Sequence, residues 1–114
     1  MSGVYIHIPF CARKCAYCDF ASWPGRQADW RRYVRAVEEE IRAVGGGPAE
    51  TMFFGGGTPS LLPAEWLCGL LGAVRETFAL AADAEITLEA NPGTISPDSL
   101  ALYRQAGVNR VSFG

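Results

Sequence analysis

The stretch AEITLEANPGT, residues 84–94, decides the fold. Ile86 and Leu88 fall on one side of an extended chain and Glu85, Thr87 and Glu89 on the other, which is the period of a β-strand. A parallel strand covered on both faces is usually apolar throughout. This one is apolar on a single face and carries a carboxylate at its end, and NPGT then turns the chain.

Working outward, residues 97–106 read as a short helix opened by Pro97 and closed by Gly107, and NRVSF (109–113) begins another strand, with Val111 and Phe113 opposite Arg110 and Ser112. Upstream, Pro63 opens a helix whose inner stripe is Leu67, Leu70, Leu71, Val74 and Phe78; proline suits a first helical turn. TMFF (51–54) is a short apolar strand stopped by Gly55, Gly56 and Gly57. Before it, Trp30, Tyr33, Val34, Val37, Ile41 and Val44 recur at steps of three and four, an amphipathic helix that follows the WPG turn (23–25) and ends at Gly45, Gly46 and Gly47. Residues 3–9 alternate again, with Val4, Ile6 and Ile8 against Tyr5 and His7.

Strands alternating with helices predict an α/β fold with right-handed crossovers and a parallel sheet. The first, third and fourth strands are each apolar on one face only. An open doubly wound sheet has helices on both sides, whereas a barrel has them outside only and can line its lumen with polar groups. The sequence therefore predicts the wall of a parallel (β/α) barrel. Closing such a barrel takes about eight strands, or an arc of about six. Residues 1–114 are accordingly expected to be the N-terminal portion of a partial barrel, truncated after the fourth strand, with the rest of the barrel and any C-terminal domain outside this chain.

A net charge of −2 on 114 residues gives no electrostatic footprint for nucleic acid or an anionic membrane. No run approaches the roughly 18 apolar residues of a membrane-spanning helix, and the N-terminus lacks a signal-peptide pattern. A cytoplasmic location is expected. Of four cysteines, Cys11, Cys15 and Cys18 crowd one loop, while Cys68 sits apart in an apolar run. In a reducing compartment that distribution points to metal or cluster binding, with Cys68 an ordinary small buried residue.

The loop has the spacing Cys11-x3-Cys15-x2-Cys18. Structural zinc takes four closed ligands, commonly from paired knuckles, and no second knuckle follows. His7 is the candidate for a fourth ligand, but it lies four residues before Cys11 on extended backbone. Three thiolates suit a [4Fe–4S] cluster with one iron left open, as binding a small molecule at that iron requires. Arg13 and Lys14 sit where they would offset the cluster's negative charge, or are simply solvated loop cations.

With Tyr17 just before the last cysteine, this loop behind a first barrel strand resembles the radical S-adenosylmethionine superfamily. The segments YIHIPFC, CAYCDF, FGGGTPS, LEANPGT and GVNRVSFG, spanning Tyr5 to Gly114, are similar to the branch shared by oxygen-independent coproporphyrinogen III oxidase (HemN) and the haem chaperone HemW. The resemblance implies a [4Fe–4S] cluster on Cys11, Cys15 and Cys18, with S-adenosylmethionine chelating the open iron and yielding a 5′-deoxyadenosyl radical when an electron donor reduces the cluster. It implies cofactor contacts from Tyr5, Tyr17, Gly56, Gly57, Thr58 and Glu89. A glycine-rich turn at a strand's carboxyl end lets backbone approach a ligand; GGGTP lacks the Lys-Ser/Thr ending of a phosphate loop. Glu89, facing the lumen, needs a partner or a ligand in any case. Arg110 is expected to pair with a strand-three carboxylate.

The oxidase carries a further cysteine two residues after the third ligand, where this sequence has Phe20. The resemblance is thus nearer the chaperone, which binds haem as cargo and passes it to acceptor proteins. Decarboxylation of a porphyrinogen, and a barrel that keeps zinc or a cluster for structure alone, stand as the alternatives. No catalytic residue is assigned, and whether the protein is an enzyme is left open.

Overall fold

The computed structural model describes residues 3–10 and 27–113. Its elements alternate as expected: β1 (Gly3–Ile8), α1 (Gln27–Val44), β2 (Pro48–Gly56), α2 (Ala64–Thr77), β3 (Ala79–Ala90), α3 (Pro97–Ala106) and β4 (Arg110–Phe113). Short 3₁₀ turns follow β2 at Pro59–Leu61 and β3 at Pro92–Thr94. The WPG turn lies outside the described residues.

The four strands form one sheet in the order β1-β2-β3-β4, and every pair is parallel. An unreversed order with crossovers of the usual right hand puts every helix on the same face. The core bears this out, since Ile6, Ile8, Met52, Phe54, Ile86 and Leu88 pack with Trp30, Val34 and Ile41 of α1 and Leu67, Leu70, Leu71 and Val74 of α2. The alternate residues, Tyr5, His7, Phe53, Thr87 and Glu89, lie on the face without helices. This is a singly wound sheet, the arrangement of a barrel wall.

Several boundaries differ from those read in the sequence. β2 runs from Pro48 rather than residue 51, because its first residues pair with β3 and a proline is tolerated as first residue of a strand, and it ends at Gly56 rather than residue 54, because Gly55 and Gly56 still pair with β1. β3 begins at Ala79, five residues early. Its first two residues pair with Pro48 and Ala49, and the register then jumps so that Thr51 meets Glu85; that irregularity hides the start from a period-two pattern. Phe78 consequently leaves α2 as its extended C-cap, although it still packs against the core. Val44, assigned to the inner stripe of α1, is 70% exposed at the helix end.

α3 matches its expected span. Ser96 and Ser99 form a reciprocal capping box, and Gly107 closes the helix with φ 118° in the left-handed region, which glycine adopts without strain. Asn109 then acts as a staple. Its side-chain oxygen accepts from Ile86 N, its amide donates to Ala84 O, both at 2.9 Å, and its own N–H donates to Ile86 O at 3.0 Å. One side chain thus imitates a ladder and sets the register in which Thr87 meets Arg110.

Asn109→Ala strands a donor and an acceptor of β3, and is expected to cost about 2–3 kcal/mol, read from the urea unfolding midpoint. Burial, with smaller effects of Cys68 and Glu65, raises the Tyr103 phenol to about 12. A folded value above the unfolded one makes this contribution complete below pH ~10 and lost as pH rises through about 12. Tyr103→Phe should therefore flatten the alkaline limb of the stability profile between those limits, checked by urea unfolding across that pH range.

Candidate functional site at the carboxyl ends of the strands

β1, β2 and β3 end side by side, and the run Gly55–Thr58 occupies the middle. Gly57 N donates to Ile8 O and Thr58 N to Phe10 O, both at 2.7 Å. These bonds extend β1 to the residue before Cys11. Phe10 is fully buried, its ring stacked on Trp30 at 5.2 Å. Among the described residues the buried indole N–H of Trp30 has no hydrogen-bond partner.

On the open face, Tyr5 stacks on Phe53 with centroids 5.7 Å apart and planes at 10°, and His7 continues the row at 6.2 Å from Tyr5. Tyr5 is 58% exposed, so it lines the face without filling it. Glu89 reaches over from β3, and Gly56 N donates to its Oε1 at 3.0 Å. Its second oxygen accepts no hydrogen bond among the described residues. Partial burial and then the charge of Glu89 raise the Tyr5 phenol above its usual value, keeping it protonated beside the carboxylate.

The glycines are required by this convergence. A Cβ on Gly55 would stand 2.7 Å from the Tyr5 hydroxyl and from Phe53 Cε1 and 2.8 Å from Glu89 Oε1. A Cβ on Gly56 would stand 2.7 Å from Ile8 O and 2.9 Å from the His7 ring, and φ there is 113°. The expectation from sequence was that glycine admits a ligand to the backbone; the immediate effect is to admit Tyr5 and Glu89. Below the run, Ser60 and Thr94 share a hydrogen bond and Asn91 N donates to Ser60 Oγ at 3.2 Å, tying the loop after β2 to the loop after β3.

Of the residues singled out in the sequence, Tyr5, Gly56 and Glu89 come together here, with Gly57 and Thr58 committed through their amides to β1. Cys11, Cys15, Cys18, Tyr17, Arg13 and Lys14 lie outside the described residues. Arg110 pairs with Glu85 at 2.9 Å as expected, both side chains being more than half exposed. Cys68 is half-buried and its thiol donates to Leu102 O at 3.6 Å. Phe53 and Tyr33 were read only as apolar positions. The alternation of Phe53 with Phe54 places it on the Tyr5 face and was the signal that could have found it.

The donor set suits a ligand with positive charge. A carboxylate, an aromatic face and backbone carbonyls offer acceptors and π-density, the complement of an ammonium or sulfonium group. A loop with three cysteines leaves from the same end of β1. A singly wound parallel wall with these groups at its carboxyl end is the arrangement in which parallel α/β barrels carry their functional sites. The Radical SAM superfamily model matches residues 5–114, and the chain belongs to that superfamily. It is 46% identical over 117 residues to a protein named heme chaperone HemW from Escherichia coli (strain K12), covering 98% of this chain and 31% of that protein. It is 40% identical over 117 residues to the mitochondrial radical S-adenosyl methionine domain-containing protein 1 of Bos taurus, covering 99% of this chain and 26% of that one. Among solved structures, coproporphyrinogen III oxidase (HemN) from Escherichia coli, titled a radical SAM enzyme, superposes with a TM-score of 0.87 at 37% identity, over 99% of this chain and 27% of that one. The chain thus spans about a third or less of the length of these relatives. The fold is the α/β wall of the radical SAM barrel, and that superfamily generally uses a [4Fe–4S] cluster and S-adenosylmethionine. No helix among the described residues is long and apolar enough to cross a membrane.

Gly55→Ala should push Tyr5 and Glu89 off β2 while leaving the core face intact. The expected result is at least a tenfold weaker affinity for S-adenosylmethionine, by equilibrium dialysis, with an unchanged far-UV circular dichroism spectrum.

Proposed function

We propose that this chain is the N-terminal part of the core domain of a HemW-type haem chaperone. Cys11, Cys15 and Cys18 hold a [4Fe–4S] cluster, and Tyr5, Tyr17, Gly56, Gly57, Thr58 and Glu89 hold S-adenosylmethionine. Haem is the cargo, delivered to acceptor proteins in the cytoplasm. The observation that carries the reading is the convergence of Tyr5, Glu89 and Gly56 over Gly55, one strand end away from the root of the three-cysteine loop. The 46% identity to a protein named heme chaperone, and Phe20 in place of a further cysteine, favour the chaperone over the oxidase.

In this reading each residue has a separate task. Glu89, anchored on Gly56 N through one oxygen, keeps its other oxygen for the ammonium of the cofactor. Tyr5, stacked on Phe53, offers its π-face to the cationic end. The backbone of Gly57 and Thr58, bonded to Ile8 and Phe10, keeps this pocket in register with the cysteine loop. When bound, cluster and cofactor together supply one-electron cleavage of a carbon–sulfur bond, drawing on an electron donor, and the protein shields that chemistry from water.

The test uses the full-length protein reconstituted anaerobically. The wild type should show broad absorption near ~400 nm that Cys15→Ala abolishes, and S-adenosylmethionine should perturb the electron paramagnetic resonance spectrum of the reduced cluster. Tight haem binding without turnover of coproporphyrinogen III is expected. Protoporphyrinogen formation would assign the oxidase activity instead, and survival of the absorption band in Cys15→Ala would remove the three-ligand basis.

A further inference from the structure

The last residues before Cys11 are gripped from both edges of β1. Ile8 O and Phe10 O face β2 and accept from Gly57 N and Thr58 N. His7 O is one residue out of phase, so it points to the opposite edge, where β1, first in the sheet order, has no neighbouring strand among the described residues. An unpaired carbonyl there is completed by α1. Tyr33 O–H donates to His7 O at 2.6 Å. The same ring presents its edge to Phe10, centroids 5.3 Å apart at 82°, while Trp30 stacks on Phe10 from the same helix. Tyr33 therefore touches the chain on both sides of Ile8–Pro9, by a hydrogen bond at His7 and by ring packing at Phe10. Burial, then Glu40 and Tyr5, raises its phenol above the usual value, so it remains a donor at neutral pH.

We propose that Tyr33 is a positioning residue for the cluster: by fixing His7 and Phe10 it sets where Cys11 leaves the sheet relative to Tyr5 and Glu89. This rests on the reading that Cys11, Cys15 and Cys18 hold a cluster. The physical ground is that ligand geometry at a metal is governed by the groups that orient its ligands as well as by the ligands themselves. A strand end free to shift by a fraction of an ångström would spread the orientations available to the first thiolate. Tyr33 acts from a helix on the far side of the sheet from the pocket, so its effect is separable from cofactor contact.

Tyr33→Phe keeps the ring and removes only the hydroxyl, leaving His7 O to water. In full-length protein reconstituted anaerobically, cluster loss to an iron chelator is expected to accelerate about fivefold to tenfold, the scale of one hydrogen bond. The electron paramagnetic resonance signal of the reduced cluster should also broaden. Phe10→Leu, which retains the Tyr33 hydroxyl but loses the ring contact, should move both readouts in the same direction. A merely structural role would lower the melting temperature of the cluster-free protein and leave chelation rate and spectrum unchanged; that result overturns the proposal. A wild type that takes up no cluster overturns the functional reading beneath it, and is distinguished by failing before any variant is compared.

Discussion

A single short span of backbone, Gly55 to Thr58, lets three strand ends share one place. Its amides bond to β1 through Ile8 and Phe10 and to β3 through Glu89, at 2.7–3.0 Å. Side chains at Gly55 or Gly56 would collide with Tyr5, Phe53, Glu89, His7 or Ile8 O, so the bonds and the convergence depend on the same missing atoms. Strong local bonding at the carboxyl end is what allows the face above it to be polar and open.

The two faces of the sheet are stabilised by different physics. Toward the helices, Ile8, Phe54, Leu88, Leu70, Leu71 and Val74 are essentially inaccessible to water, and burial at roughly 25 cal/mol per Å² of apolar area is the dominant favourable term. The helix–helix contacts on the outside add little. Arg42 bridges Glu76 at 2.8 Å and Glu38 at 3.8 Å, but all three side chains are well exposed, and solvent screening leaves such pairs little net effect on stability. Among the described residues the open face is held by the stacking of Tyr5 on Phe53 and His7, the Gly56–Glu89 hydrogen bond and the exposed Arg110–Glu85 pair. It can change its side chains for a ligand's sake with small consequence for the fold, because almost none of the folding energy resides there.

Most of this architecture was legible in the sequence, for one reason: alternation and helical period report which face is buried. They gave the order of elements, the one-sided sheet and the span of α3. They failed where bonding departs from regular pairing. The jump between Ala49 and Thr51 concealed five residues of β3, since a strand that changes register has no constant period. Asn109 was read as the first residue of a strand, and its role as a false rung depends on β3 carbonyls and amides that no local pattern names. Tyr33 looked like an amphipathic stripe position; its hydroxyl meets a carbonyl 26 residues earlier, and period three or four says nothing of that. The site was partly legible. Tyr5, Gly56 and Glu89 were singled out and do converge, while Phe53 was hidden inside an apolar pair.

Glu85 and Glu89 show how a site carboxylate is separated from a surface one. Both lie on β3, on the same face, four residues apart. Glu85 stands beside Thr51, which carries a side chain where Gly55 has none, and it makes an exposed pair with Arg110. Glu89 stands beside Gly55, where nothing fills the groove, and it folds across β2 until its oxygen reaches an amide. The residue type and the pleat are identical, so the difference comes from the neighbour on the adjacent strand. A carboxylate becomes part of this site because the strand next to it supplies a glycine, which makes the pairing of β2 with β3 as much a determinant of the site's geometry as the glutamate itself.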